Sequence, residues 1–159
     1  METAVEKCSE MGAGRIVPLL CARSVVKAEE DSSRFDRWRR IARSAMVQSE
    51  QSWSVEITSP RTLDEVLAGS DPAALPSELL VAHPAPDSMG MDAALAQYNG
   101  EAEITLLVGP EGGFTDEEIE RSRAKGAHFV TLGATRLRTE TAAIVALALA
   151  LEALRRKSR

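Results

Sequence analysis

The chain has 159 residues, 44% of them apolar and 27% charged, which suits one domain with its own core and is too apolar for disorder as the main state. A net charge of −5 and an aromatic content of 4% weigh against gripping nucleic acid by bulk positive charge or by a base-stacking platform, although a local basic patch remains open. Two cysteines (Cys8, Cys21) and two histidines (His83, His128) are too few for a disulfide framework or a metal cluster at recognised spacing, so no metal is expected.

The opening METAVEKCSEMG carries Glu2, Glu6 and Glu10 and is too polar for a signal peptide. Ala4, Val5, Cys8 and Met11 have helical spacing, and Gly12 and Gly14 end that helix. Residues 15–20 (RIVPLL) read as a strand near an edge or an end, because of Pro18. Asp31, Ser32 and Ser33 offer N-caps for a helix over 34–49. Residues 54–58 alternate like a strand, 62–68 form a short helix, and a Ser/Asp/Pro-rich loop runs through Ser77. A buried strand over 79–82 ends at His83-Pro84, a helix follows over 91–98, and a second buried strand spans 104–108. Residues 109–114 form a glycine-rich loop, after which Thr115 caps a helix and Glu118 completes a capping box. That helix stops at Gly126. Residues 129–132 form a strand, 133–140 a polar loop and 141–156 the closing helix, whose Arg155, Arg156 and Lys157 suit its negative end. The apolar run at 142–151 is ten residues long, against the ~20 a spanning helix needs, and reads as a fully buried helix of a cytoplasmic protein. Strands alternating with helices predict an α/β fold with a mainly parallel sheet covered on both faces.

Three segments carry candidate chemistry. Glycines in the loop LLVGPEGGF let the backbone approach a ligand beyond a strand's carboxyl end, and Glu111 stands there between Pro110 and Gly112. The loop lacks the lysine of a Walker loop and is not G-x-G-x-x-G. LGATRLRTETA crowds Arg136, Arg138, Thr139, Glu140 and Thr141 ahead of an apolar helix. Helix capping accounts for the threonines and the glutamate, whereas two arginines beside a positive helix end suggest an anionic or polar partner. The third segment, RFDRWRRIAR, places Arg34, Arg37, Arg39, Arg40 and Arg43 on a helix whose apolar stripe holds Phe35, Trp38, Ile41 and Ala42. A solvated basic face and a phosphate-contacting patch stand about even there, with Trp38 read as core.

Taken together, LLVGPEGGF and LGATRLRTETA resemble the signature loops of the RsmE family, ribosomal RNA uracil-N3 methyltransferases of the SPOUT superfamily. AVEKCSEMGAGRIVPLL is similar to that family's Lys-x-x-Glu-Leu-Gly stretch and following Ile-x-Pro-Leu strand. Arg23-Ser24-Val25-Val26, Arg37-Trp38-Arg39 and residues 45–48 follow in family order, so the resemblance covers nearly the whole chain. Three departures stand out. Met11 replaces a common leucine. Val47 and Gln51 occupy the glutamate and arginine positions of the family's Ala-x-Glu-Gln-x-x-Arg. By this resemblance, residues 1–159 are expected to be a SPOUT methyltransferase domain alone, without the family's N-terminal PUA-like RNA-binding domain.

The resemblance implies a SPOUT-type sheet with a C-terminal deep trefoil knot, a homodimer, no membrane partner and S-adenosyl-L-methionine as cofactor. Carried over, its binding positions are Gly109, Glu111, Gly112, Gly113, Leu132, Gly133, Leu137, Arg138, Thr139, Glu140, Thr141 and Ala142. The implied reaction methylates N3 of a uridine in 16S (small-subunit) ribosomal RNA. N3 lies on the pairing edge, so the target base must be unpaired or extruded. Arg138 and Glu140 are the catalytic candidates. Arg138 either stabilises charge on the uracil oxygens or orients the cofactor carboxylate, and Glu111 or Glu140 could serve as base or equally bind cofactor or cap a helix. Arg34, Arg37, Arg39, Arg40, Arg43 and Arg136 are the RNA-contact candidates. The alternatives are a SPOUT methyltransferase for another RNA position and a non-catalytic RNA-binding or dimer-forming module that kept the fold.

Overall fold

The computed structural model describes residues 1–24, 32–69, 77–100 and 102–157. The expected Asp31 cap, the Ser32 side chain, Val25-Val26 and most of the loop after Gly69 lie outside the described residues.

In the first half, α1 (Glu2–Glu10) leads to β1 (Arg15–Ile16) and β2 (Leu19–Leu20), followed by α2 (Ser32–Gln48), β3 (Glu56–Ile57), β4 (Arg61–Thr62) and α3 (Leu63–Leu67). β1 pairs with β3 and β2 with β4, both in parallel. The strand expected over 15–20 is therefore split, and β4 was not foreseen. Pro18 has no N–H to give to a ladder, although its carbonyl still accepts from the Arg61 N–H at 3.0 Å. Opposite Val17 and Pro18 stand Thr58, Ser59 and Pro60, so the register slips by one residue, as at a bulge. α3 starts at the capping box of Thr62 and Glu65. Val5, Trp38, Ala42, Val55 and Ile57 form the core here, and Trp38 meets Phe35 edge-on at 5.3 Å. Trp38 is thus core, as its spacing predicts.

The second half runs β5 (Ser77–Ala82), α4 (Met91–Ala94), β6 (Glu103–Val108), α5 (Asp116–Ala124), β7 (His128–Val130) and α6 (Thr139–Lys157). The strands lie in the order β6-β5-β7, all parallel. Their side chains alternate. Val81, Leu107 and Phe129 pack with Leu63 and Leu67 of α3 and Ile119 of α5. Leu80, Leu106 and Val130 pack with Met91 of α4 and with Ala150 and Ala153 of α6. The sheet is covered on both faces, which is why its strands read as continuous apolar runs. Among the described residues the parallel pairings form three separate ladders rather than one continuous sheet.

Two helices depart from expectation. α4 is a single turn, and its trailing carbonyls at Leu95, Ala96 and Tyr98 each accept from Lys157 Nζ, at 2.7–2.8 Å. α6 begins at Thr139, two residues early, and it is not fully buried. Its buried residues are Ala146, Ala150 and Ala153, while Leu149 and Leu151 are 38% and 39% exposed. Small alanines let the helix lie close on its neighbours, and an unbroken apolar run holds no polar stripe to mark which side faces out. No helix among the described residues is long and apolar enough to cross a membrane.

The topology also places a crevice. The β5–β6 connection crosses one face through α4, and the β6–β7 connection crosses the other through α5. The chain leaves the carboxyl ends of β5 and β6 in opposite directions, and ligand crevices of parallel sheets open at such switch points.

Candidate functional site

The glycine-rich loop leaves the end of β6. The Gly113 N–H donates to the Pro110 carbonyl at 2.8 Å, closing a tight turn, and Gly113 sits at φ +68°, where a side chain would be strained. Gly109 and Gly112 answer to packing. A Cβ on Gly109 would stand 3.2 Å from the Phe114 ring, and one on Gly112 would stand 3.0 Å from Cβ of Arg23. The loop is therefore moulded against the protein itself.

Arg23 and Glu118 hold that mould in place. Arg23 Nη1 donates to the carbonyls of Gly112 and Phe114, both at 3.1 Å. The capping box of Thr115 and Glu118 is present as expected, and it reaches further than the pattern implied. One oxygen of buried Glu118 accepts from the Thr115 N–H and the other from the Ala22 N–H, both at 2.8 Å. The segment after β2 is thereby stitched to the start of α5. Glu118→Ala should lower unfolding free energy by about 2–3 kcal/mol, read as a lower urea midpoint, because two backbone donors lose a charged acceptor. Glu118 and burial together push the Cys21 thiol up to about 12, with burial the larger cause, so Cys21 is inert as a nucleophile.

The second loop meets the first at one bond. Thr139 Oγ1 donates to the Gly109 carbonyl at 3.1 Å across thirty residues of sequence. The Arg138 carbonyl accepts from the Ala142 N–H at 2.8 Å, so α6 opens at this junction. Thr141 is thus inside the helix rather than its cap. Between the loops lies a pocket of ≈ 320 Å³, within the size range of small-molecule sites. Ala82, His83, Val108, Gly109, Pro110, Glu111, Gly113, Phe114, Arg136, Leu137, Arg138, Thr139 and Ala142 line it. Of the expected site residues, Gly109, Glu111, Gly113, Arg136, Leu137, Arg138, Thr139 and Ala142 come together here. Gly112, Leu132, Gly133, Glu140 and Thr141 stand outside the lining. Arg136 and Arg138 are exposed, and among the described residues neither has a carboxylate within ion-pair distance.

The sequence reads His83 as a buried or loop residue without partners, whereas the structure places it in the pocket lining. A lone histidine before a proline carries no pattern, and only the position at the end of β5 marks it. Burial holds its imidazole below the ordinary value; Asp116 opposes this and Arg136 adds to it, so the ring is neutral near pH 7.

A broader groove of ≈ 880 Å³ between α1 and α2 is lined by Glu6, Lys7, Glu10, Arg37 and Arg40, among others. Its charges are largely answered within the protein. Lys7 pairs with Glu6 and Glu10, and Arg37 pairs with Glu2, all within 2.9 Å. It offers no convergent backbone loops, so the smaller pocket is the better site. On α2, Arg39 pairs with Asp36, whereas Arg34, Arg40 and Arg43 are exposed with no ion pair among the described residues. Gln51 ends α1: its Nε2 donates to the carbonyls of Ser9 and Glu10 at 3.1 and 2.6 Å. The amide thus does a C-capping job open to a guanidinium, while Val47 points outward at 67% exposure.

A family model for an RNA methyltransferase domain matches residues 1–151. A ribosomal RNA small subunit methyltransferase E of Synechocystis is 39% identical over 150 residues, covering 92% of this chain and 47% of the relative. A methyltransferase of Legionella pneumophila, solved with bound cofactor SAM, superposes with a TM-score of 0.83 at 33% identity, covering 96% of this chain and 61% of that one. A ribosomal RNA small subunit methyltransferase E of Neisseria gonorrhoeae, bound to S-adenosyl methionine, gives 0.78 at 29% identity, covering 97% and 60%. The chain therefore spans roughly half to three-fifths of the length of these relatives.

Proposed function

The chain belongs to the RNA methyltransferase domain family, and from that premise we propose that it methylates N3 of a uridine in small-subunit ribosomal RNA with S-adenosyl-L-methionine as donor. The observation that carries this reading is the meeting of the two loops at the Thr139–Gly109 bond, over a pocket holding two arginines that have no carboxylate partner among the described residues. The residues present suit the donor. Ala82, Val108, Leu137 and Ala142 offer apolar wall for a purine, the glycine loop offers backbone groups, and Arg136 and Arg138 offer guanidiniums for a carboxylate. Gly109, Glu111, Gly113, Leu137, Arg138, Thr139 and Ala142 hold it, while Gly112, Leu132, Gly133, Glu140 and Thr141 shape the loops around it. When bound, the donor supplies an electrophilic methyl group on a sulfonium. Arg138 stabilises charge that develops on the uracil oxygens. Arg34, Arg40, Arg43 and Arg136 supply phosphate contacts, with Arg37 and Arg39 partly committed to Glu2 and Asp36.

The same reading includes a trefoil knot in the C-terminal third, action in the cytoplasm as a SPOUT domain, and a homodimer. Exposed Ala148, Leu149 and Leu151, beside half-buried Ile144 and Val145, give α6 an apolar outer side next to the pocket. Leu149→Glu should shift the protein from dimer to monomer in sedimentation, with the far-UV circular dichroism unchanged. The function itself is tested by calorimetry with S-adenosyl-L-methionine, then by incubation with small-subunit ribosomal RNA and nucleoside mass spectrometry. The expected product is 3-methyluridine; a methylated nucleoside of another kind redirects the reading to another RNA position, and cofactor binding absent at millimolar supply overturns it.

A further inference from the structure

Resting on the function just proposed, we infer that the His83 imidazole accepts the proton from uracil N3 as the methyl group is transferred. His83 stands where β5 ends, at the mouth of the switch-point crevice, and lines the pocket with Gly109, Arg138 and Thr139. Its backbone is held on both sides. The His83 N–H donates to the Val130 carbonyl at 3.3 Å, and its carbonyl accepts from the Ala85 N–H at 3.0 Å and the Ser88 hydroxyl at 2.7 Å. The ring lies edge-on to Phe129, centroids 6.4 Å apart, and Arg123 covers that phenyl ring at 4.6 Å. Among the described residues, neither ring nitrogen of His83 has a hydrogen-bond partner. An oriented, half-buried imidazole with both nitrogens unanswered has capacity for a ligand's N–H.

The charges around it keep that capacity open. Asp116 at the start of α5 favours the protonated ring, but burial and Arg136 favour the neutral one, and Glu111 and Arg138 share the pocket wall. A neutral imidazole can take a proton. The other candidates are weaker. Glu140 lies outside the lining, and Glu111 is exposed at the loop tip. The step balances. N3 bonds to the methyl carbon, the electron pair of the methyl–sulfur bond stays on sulfur as a neutral thioether, and the N3 proton passes to His83. The imidazolium then returns that proton to water.

His83→Gln keeps the polarity and approximate reach and removes the base. The variant should bind S-adenosyl-L-methionine with an affinity within about twofold of the parent chain by calorimetry. Its single-turnover transfer to a uridine-containing RNA should fall about 100-fold at pH 7. The parent's rate should rise through an acid limb set by the imidazole, below 6.5, and then level. The variant should lose that limb and instead gain about tenfold per pH unit toward pH 9, as free uracil ionises. In the cofactor-free protein, the His83 imidazole resonances should shift on adding that RNA and stay put with RNA carrying 3-methyluridine. A variant that transfers at the parental rate with the parental pH profile overturns the role of His83 and leaves the proposed function standing. A variant that loses cofactor affinity makes His83 a cofactor contact and likewise overturns it. A parent chain that binds the cofactor and never methylates RNA sinks both.

Discussion

Replacing Arg138 by alanine should lower methyl transfer about 10²–10³-fold, the usual cost of removing one preorganised donor to developing charge. The fold should be untouched. Arg138 is exposed, has no ion pair among the described residues and sits at the positive end of α6, where its charge is repelled. Thermal stability of Arg138→Ala should therefore equal or slightly exceed that of the parent chain. Two roles are separable. If Arg138 orients the cofactor carboxylate, calorimetry will show weakened S-adenosyl-L-methionine binding, and saturating cofactor will restore much of the rate. If it steadies the uracil oxygens, cofactor affinity will hold and kcat will stay low at saturation. Arg138→Lys should recover only part of the loss, because an ammonium lacks the planar paired donors of a guanidinium. A folded Arg138→Ala protein with parental turnover would remove this residue from the chemistry.

What the sequence discloses about this site follows from range. The Thr115–Glu118 capping box spans three residues, so its pattern is local and legible. The second task of Glu118, accepting from Ala22, spans ninety-six residues, and no periodicity encodes it. The same holds for Arg23, whose guanidinium bonds lie across eighty-nine and ninety-one residues. The glycine loop is readable as a turn that lets backbone approach a ligand, but not what packs against its glycines. Gly109 and Gly112 are also pressed by Phe114 and Arg23. Proline explains the split strand: Pro18 places an end there, as the sequence suggests, but that end falls in the middle of the 15–20 run, with Pro60 in the opposing segment. In α6 the pattern failed for lack of contrast, since every position from Ala142 to Leu151 is apolar and burial is decided by what lies opposite. His83 reads from the sequence only as a buried or loop residue, for a different reason. Its meaning comes from the order β6-β5-β7, which is a property of pairing and not of any segment.

Arg23→Ala should weaken catalysis nearly as much as loss of a contact residue, although Arg23 is not among the pocket-lining residues. Its guanidinium is the shared partner of two carbonyls that bracket Gly113, and its own Cβ presses the space where Gly112 has none. The bond to the Gly112 carbonyl is exposed and the bond to the Phe114 carbonyl is half-buried, so water can replace the first and part of the second, and the stability cost should stay near ~1–2 kcal/mol. Water cannot hold the loop's position. A displacement of about 1 Å in a positioning element can cost on the order of 10²-fold in rate, and here the displaced element carries Glu111 and the Gly109 carbonyl that Thr139 grips. Loosening should therefore fall first on cofactor capture. KM for S-adenosyl-L-methionine should rise about 30–100-fold while kcat falls only severalfold, the reverse of the pattern expected for a residue that steadies uracil. Arg23→Lys supplies an ammonium able to donate to both carbonyls, so it should recover most of the KM. A purely structural arginine would show neither the split nor the recovery, and equal losses in kcat and kcat/KM in both variants would assign Arg23 to the chemistry itself.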